Sequence, residues 1–138
     1  MDQIVAIAKA LSDPARVRAL MMLRDGELCV CQVIAVLGMS PSNVSRHMSL
    51  LRDAGLVRQR KDGRWHYYRL AAGAGTPPAV RRALAMTQRA VQDDPTIAAD
   101  AAALRRSSAA TLTQISTCCY RPRRGSARQT TRTRRTSA

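Results

Sequence analysis

The chain has 138 residues, enough for one domain with a small hydrophobic core and a tail, and with no phenylalanine, one tryptophan and three tyrosines that core must be aliphatic. Its net charge of +14 favours polyanionic partners, nucleic acid first and anionic membrane second. Residues 121–138 contain seven arginines and no acidic residue, so this segment carries half of the excess charge.

Two further features of the sequence indicate its compartment. No apolar run approaches the about 18 residues of a membrane-spanning helix, and the N-terminal sequence MDQI lacks the cationic start and apolar block of a signal peptide. We therefore expect a cytoplasmic protein in a reducing environment. In such a compartment, cysteines more often bind metals, catalyse reactions or lie buried than form disulfides.

Apolar residues at helical spacing predict two helices at the start of the chain. They cover residues 3–10 and 12–24, and either Ser12 or Asp13 can serve as the N-cap of the second. Both helices carry apolar residues on one side, so we expect them to pack on a common core.

The next two predicted helices are joined by a short turn. The first covers about residues 27–37, and Gly38-Met39 forms the turn. Ser40-Pro41, an N-cap followed by proline at the first helical position, starts the second helix, which reaches Ala54 and ends at Gly55. Two helices joined by a tight glycine turn predict a helix-turn-helix.

Two β-prone runs follow directly. Residues 56–60 and 64–70 flank Asp62-Gly63, and a DG pair between such runs is a strong signal for a β-hairpin. A hairpin in this position predicts a winged helix-turn-helix, so the expected fold class is mainly α with a small β-hairpin. Two further helices are predicted over residues 77–92 and about 96–115.

The helix that begins at Ser40-Pro41, which we call the reading helix, has one apolar and one polar face. Val44, Met48 and Leu51 form the predicted buried stripe, spaced i, i+4 and i+7. The opposite face is short, polar and basic, which suits the major groove of DNA, where Arg reads guanine and Asn reads adenine. The predicted DNA contacts are Ser40, Ser42, Asn43, Ser45, Arg46, His47 and Ser49 on the helix, with Arg60, Lys61 and Arg64 on the wing.

A simpler interpretation is that these residues face solvent on an ordinary helical hairpin. The tight turn, the proline start and the DG hairpin occur in the order of a winged helix-turn-helix, which favours DNA binding. Neither His47 nor His66 has a second histidine or a carboxylate at ligand spacing. Packing or phosphate contacts are therefore favoured over metal binding for both histidines.

Cys29 and Cys31 lie one residue apart at the start of the predicted third helix. On a regular helix, side chains at i and i+2 point about 200° apart, so the two thiolates cannot face one ion. They can do so if the first turn is irregular, and ion binding would then strain the helix that supports the reading helix. If the two cysteines are only small buried hydrophobic residues, helix geometry predicts that one of the pair is buried.

A second cysteine pair, Cys118-Cys119, lies near the C-terminus. A soft ion that prefers three thiolates needs one more ligand than Cys29 and Cys31 provide, and one of this pair can supply it from the same or the partner subunit. Burial does not explain adjacent cysteines in a polar segment. All four cysteines are therefore candidate ligands of a soft-metal site.

These motifs together resemble the ArsR/SmtB family of arsenic- and metal-sensing repressors. The similar stretches are LSDPAR at residues 11–16, ELCVC at 27–31, SPSNVSRH at 40–47, LRDAGLV at 51–57 and the wing at 62–70. They fall within about residues 4–92 and follow one another in the family's order.

The resemblance implies a homodimer, paired through the first helix and the helix after the wing, that binds a palindromic operator in double-stranded DNA. Trivalent arsenic or antimony, As(III) or Sb(III), would bind the cysteines as an inducer and release the DNA. Arsenite forms a pyramidal complex with three thiolates, so it fits a three-cysteine site better than cadmium or zinc does. A repressor of this kind is not an enzyme and needs no catalytic cofactor.

The chain departs from the family pattern at the metal ligands. Enterobacterial-type arsenic sensors have a third cysteine three positions after the pair, where this chain has Ile34. Cadmium/lead sensors add cysteines near the N-terminus, and none precedes Cys29 here. Zinc sensors use His and carboxylates on the helix after the wing, and residues 77–92 contain no His. The third ligand is therefore assigned to Cys118 or Cys119.

The expected organisation has three parts. Residues 1–93 form the winged helix-turn-helix domain for DNA binding and dimerisation, residues 94–120 form a C-terminal helical extension with Cys118 and Cys119, and residues 121–138 form a disordered, arginine-rich tail. We expect the tail to act as a nonspecific DNA clamp, so that its deletion weakens binding to operator and random DNA alike.

Two other functions stay open from the sequence. One is a cadmium- or lead-responsive repressor of the same family that uses all four cysteines. The other is a thiol redox-sensing repressor in which a cysteine pair forms a disulfide. A thiol oxidoreductase or arsenic-handling enzyme would need a Cys-x-x-Cys or phosphate-loop motif, and the sequence contains neither.

Overall fold

A computed structural model describes residues 1–107, while residues 108–138, with Cys118, Cys119 and the arginine-rich segment, lie outside the described part. The described chain forms six α-helices, one 3₁₀ turn and a three-stranded antiparallel sheet. In order, the elements are α1 (Asp2–Leu11), α2 (Pro14–Met22), the 3₁₀ turn (Leu23–Asp25), β1 (Leu28–Cys29), α3 (Val30–Leu37), α4 (Pro41–Asp53), β2 (Val57–Asp62), β3 (Trp65–Leu70), α5 (Pro78–Val91) and α6 (Pro95–Arg106). The predicted fold class, mainly α with a winged helix-turn-helix, is confirmed.

Three helices begin at an aspartate or serine followed by proline. Asp13 and Asp94 each accept a hydrogen bond from the backbone N–H two residues later, both at 2.8 Å. The Ser40 hydroxyl accepts one from the N–H of Asn43 at 3.3 Å. The next residue in each case is a proline at the start of the helix, where its missing N–H costs no hydrogen bond. Of the two N-cap candidates for α2, Asp13 is the cap.

The apolar side chains gather in one core between the helices and the inner face of the sheet. The largest fully buried side chains are Ile7, Leu20, Leu23, Val33, Val44, Met48, Leu51, Leu56, Val57 and Val80. The predicted stripe of Val44, Met48 and Leu51 is confirmed, since none of the three is exposed to solvent. No helix within residues 1–107 combines the length and apolarity needed to cross a membrane.

The third helix begins three residues later than predicted. Residues 28 and 29 form β1, which pairs with β3 through Leu28–Tyr68 and Cys29–Tyr67, so α3 starts at Val30. The prediction of helix from residue 27 was therefore wrong. The outer edge of β3 has unpaired backbone N–H and C=O groups, and β1 forms hydrogen bonds with them. Helical periodicity cannot predict this pairing, because it depends on a segment far along the chain.

The wing turn also differs by one residue from the prediction. Strands β2 and β3 pair from Val57–Leu70 to Asp62–Trp65, so the two turn residues are Gly63 and Arg64 rather than Asp62 and Gly63. Gly63 has φ 58°, which glycine adopts without steric cost at the first central position of a hairpin turn.

Helix α6 is fastened to α2 by an ion pair with two hydrogen bonds. Arg18 donates through Nε and Nη2 to the two carboxylate oxygens of Asp100, both at 2.8 Å. The residue Asp100 is only 6% exposed, and its hydrogen bonds raise the pKa of Arg18. Ile97 also joins the core, so the described part of the predicted 94–120 extension packs on the preceding domain.

Candidate functional site

The reading helix α4 presents a polar face to solvent. Ser42, Asn43, Ser45 and Arg46 are exposed, opposite the buried stripe. Ser40 is also exposed, and its hydroxyl caps the helix by accepting from Asn43. Short polar side chains and one arginine near the start of an exposed helix can enter a major groove and bond to base edges.

His47 and Ser49 lie at the margin of this face and are half-buried. Arg16 places Nη1 3.1 Å from Nδ1 of His47, and a guanidinium can only donate, so Nδ1 is the acceptor. Arg16 also donates to the carbonyl oxygens of Lys9 and Ala10, at 3.0 and 2.7 Å. His47 thus connects α4 to the end of α1 through Arg16.

Arg60, one of the predicted wing contacts, is engaged within the protein. Its Nη2 and Nε donate to the carboxylate of Glu27 at 2.7 and 3.3 Å, and its guanidinium lies 4.5 Å from the centroid of the Tyr67 ring. Hydrogen bonding by Arg60 lowers the pKa of Glu27 below its ordinary 4.5. The other two predicted wing cations, Lys61 and Arg64, are exposed near the tip.

A polar chain from the reading helix to the wing was not predicted. Arg52 donates through Nη1 to Oε1 of Gln59 at 2.7 Å, and Nε2 of Gln59 contacts Nδ1 of His66. These three residues and Lys61 line a cleft of about 330 Å³. The hairpin register places Lys61 opposite His66, whereas a turn at Asp62-Gly63 would pair Lys61 with Arg64, so the sequence does not indicate this cleft.

Both cysteines of the first pair are buried, with 6% of Cys29 and 5% of Cys31 exposed. The expectation that only one is buried was wrong, because Cys29 precedes the helix instead of lying on it. Cys29 is the N-cap of α3 in an extended conformation, with φ −69° and ψ 142°. Its backbone N–H donates to Oε1 of Gln32 at 3.0 Å, in a capping box with that residue. The helical angle of about 200° therefore does not apply to this pair.

The two thiols sit where the wing meets the helix-turn-helix. Cys29 pairs with Tyr67 of the wing strand β3, whereas Cys31 belongs to α3, which packs against α4. Two buried sulfur donors suit a thiophilic ion. Among residues 1–107, no group of three or more His, Cys, Asp or Glu side chains is arranged to hold a metal ion, and the predicted further ligands Cys118 and Cys119 lie outside this range.

Sequence comparisons place this architecture in a family. The family described as "Bacterial regulatory protein, arsR family" matches residues 13–59. The chain is 45% identical over 65 residues to the arsenic resistance transcriptional regulator ArsR1 of Pseudomonas putida, covering 46% of this chain and 51% of that protein. It is 37% identical over 68 residues to an uncharacterised HTH-type transcriptional regulator of Methanocaldococcus jannaschii, covering 49% of this chain and 76% of that one.

A solved structure shares the fold. The homodimeric winged helix-turn-helix DNA-binding domain of a possible ArsR-family regulator from Mycobacterium bovis matches with a TM-score of 0.55 and 29% identity, over 67% of this chain and 81% of that one. The chain spans about half the length of the Pseudomonas putida regulator that it matches. Fold, motif order and sequence identity agree, and the chain belongs to the ArsR family of bacterial DNA-binding transcriptional regulators.

Proposed function

We propose that this protein is a metal-responsive transcriptional repressor that binds operator DNA as a homodimer and leaves it when trivalent arsenic or antimony binds its cysteine thiolates. The observation that carries the proposal is the position of Cys29 and Cys31, buried at the junction between the wing sheet and α3. An ion bound by both sulfurs would join the end of β1, which pairs with the wing strand β3, to the first turn of α3. In the proposal, this changes the backbone at a point shared by both DNA-binding elements. The 45% sequence identity over 65 residues to an arsenic resistance regulator supports arsenic as the ion.

In this proposal, α4 enters the major groove of the operator. Arg46 and Asn43 are the side chains best suited to read guanine and adenine, because they are exposed and long enough to reach base edges. Lys61 and Arg64 contact phosphates from the wing tip. The cleft formed by Arg52, Lys61 and their neighbours adds positive charge on the same side of the wing.

The homodimer is proposed to form through α1 and α5, as the family resemblance implies. These two helices contact each other and expose large apolar side chains: Ile4 is 57% exposed, Val5 43% and Met86 61%. Exposed apolar side chains on two touching helices of a small domain suit burial against a second copy. The related Mycobacterium bovis domain is homodimeric, which supports the same assembly here.

Cys118 or Cys119 is proposed as the third thiolate. Helix α6 contacts α3, and its Leu104 and Arg105 line a cleft of about 250 Å³ together with Glu27 and Leu28. The chain therefore leaves α6 close to the cysteine junction. From Ser107, the eleven residues to Cys118 can span roughly 36 Å when extended, so a ligand from the same subunit is within reach.

Operator release titrated with arsenite, antimonite, cadmium, lead and zinc tests the proposal. The probe is a labelled DNA duplex selected by the wild-type protein from a random-sequence library. We expect arsenite and antimonite to release the wild type at the lowest concentrations, and Cys29→Ser, Cys31→Ser and the double variant Cys118→Ser/Cys119→Ser to need far more.

Three outcomes would contradict this assignment. Release by cadmium or lead but not by arsenite would indicate a cadmium/lead repressor. Release by an oxidant without arsenic would indicate a redox sensor. Unchanged arsenite sensitivity of the Cys118→Ser/Cys119→Ser variant would remove the third-ligand assignment alone.

A further inference from the structure

Glu27 and Arg60 form a bridge across the sheet. The strand order is β1-β3-β2, so β1 and β2 do not touch, and β3 lies between them. Glu27 immediately precedes β1, and its carboxylate reaches over β3 to Arg60 on β2, with its shortest contact at 2.7 Å. The guanidinium of Arg60 rests on the ring of Tyr67, the β3 residue that pairs with both Cys29 and Arg60.

We propose that this Glu27–Arg60 bridge transmits ion binding at Cys29 and Cys31 to the wing, and that Arg60 is a positioning residue for induction rather than a phosphate contact. The inference rests on the proposed function, since it concerns how the cysteine site acts on DNA binding. It assigns to Arg60 a different role from the DNA contact predicted from the sequence.

The backbone changes conformation between the two thiols, because Cys29 is extended and Cys31 is helical. In the proposal, an ion held by both sulfurs rotates the backbone around Cys29. The displacement passes to Leu28 and Glu27, because these residues are covalently joined. Strand β1 has only two residues, so without a second attachment it can fray from β3 and absorb the displacement locally. The bridge provides that attachment and carries the displacement to β2.

The contacts that Arg60 makes within the protein also favour a positioning role over a phosphate contact. Two of its nitrogens donate to Glu27, a third lies 3.9 Å from the carboxylate of Asp62, and one face of the guanidinium covers Tyr67. A contact with a DNA phosphate would compete with these interactions. Lys61 is the next residue in the strand, so its side chain points to the opposite face of the sheet. It is therefore a suitable control cation for Arg60.

The test compares Glu27→Gln, Arg60→Gln, their double variant and the charge exchange Glu27→Lys/Arg60→Glu, with Lys61→Gln as the control. For each full-length variant we would measure DNA affinity with and without saturating sodium arsenite, its salt dependence, and arsenite affinity without DNA. The DNA probe is the selected duplex described above. Circular dichroism and thermal melting show which variants are folded.

We expect each bridge variant to bind arsenite and DNA separately within about twofold of the wild type. The factor by which arsenite weakens DNA binding should fall about fivefold or more in either single variant. It should fall no further in the double variant, because Glu27→Gln and Arg60→Gln break the same bridge. The charge exchange should restore most of this factor. Lys61→Gln should instead lower DNA affinity and reduce the salt slope by about one, with the arsenite factor unchanged.

The proposal is overturned if Arg60→Gln lowers DNA affinity and salt slope as Lys61→Gln does while the arsenite factor stays at the wild-type value. It is also overturned if Glu27→Gln, which removes no cation, leaves that factor unchanged. Failure of arsenite to release the wild type is a separate result, which refutes the proposed function itself.

Discussion

Two arginine–carboxylate pairs fasten peripheral elements of this protein, and they differ in burial. Arg18 and Asp100 join α2 to α6 through two hydrogen bonds of 2.8 Å, and the Asp100 side chain is 8% exposed. Arg60 and Glu27 join the wing to the segment before β1, with side chains 52% and 32% exposed. The hydrogen-bond geometries are similar, but only the Asp100 carboxylate is almost fully shielded from solvent.

The difference indicates different roles. Removing the partner of a buried charge leaves it without compensation, so the Arg18–Asp100 pair should contribute strongly to keeping α6 on α2. An exposed ion pair contributes little to the free energy of unfolding, because water and salt screen it. The Glu27–Arg60 pair is therefore better suited to positioning one element relative to another than to holding the fold together.

The largest effect on folding should come from Arg18→Met. This change leaves the buried carboxylate of Asp100 unpaired and should lower the free energy of unfolding by roughly 3 kcal/mol, measured by urea denaturation. Arg24→Met removes an arginine whose partner, Asp25, is 88% exposed, and should change stability by less than about 0.5 kcal/mol. Equal effects of the two substitutions would show that burial does not distinguish these pairs.

Arg46 is an exposed arginine on the reading helix. Arg46→Ala should weaken DNA binding rather than folding. We expect a loss of roughly 1–3 kcal/mol in DNA binding and relaxed preference at one base position, with unchanged thermal stability. Arg24→Ala removes the same charge from the 3₁₀ turn and serves as the control. The role of Arg46 as a base reader is refuted if affinity falls uniformly for all sequences.

The smallest effect on folding should come from Glu27→Gln. Because the pair with Arg60 is exposed, the urea midpoint should stay close to that of the wild type. The depressed pKa of Glu27 means that its ionised form is favoured in the folded state. Any stability from this pair is therefore present above pH 4.5 and is lost as pH falls through the lowered pKa. A Glu27→Gln variant as unstable as Arg18→Met would contradict the distinction between the two pairs.

The sequence predicts those parts of the structure that depend on local pattern. Ser40-Pro41 marks the start of α4, and the spacing of Val44, Met48 and Leu51 identifies its buried face, because a helix repeats every 3.6 residues. The hairpin follows from its glycine and flanking β-prone residues, although the turn lies one position later than expected.

The contacts that local pattern does not predict are long-range. Glu27 lies 33 positions from Arg60, and Arg18 lies 82 positions from Asp100. Strand β1 forms only because β3 presents an edge 40 residues later in the chain, at the Leu28–Tyr68 pair. Helical periodicity predicts which face of a segment is buried. It does not predict which charged or backbone group of a distant segment will contact it, so the environment of Cys29 was not predictable.

X-ray absorption at the arsenic edge can measure the proposed binding of arsenic by Cys29 and Cys31 at the junction of wing and helix-turn-helix. The sample is the full chain with one equivalent of arsenite, compared with Cys29→Ser/Cys31→Ser. We expect arsenic bound by three sulfur atoms in the wild type and loss of most sulfur coordination in the variant. The same three-sulfur signal in both proteins would contradict it.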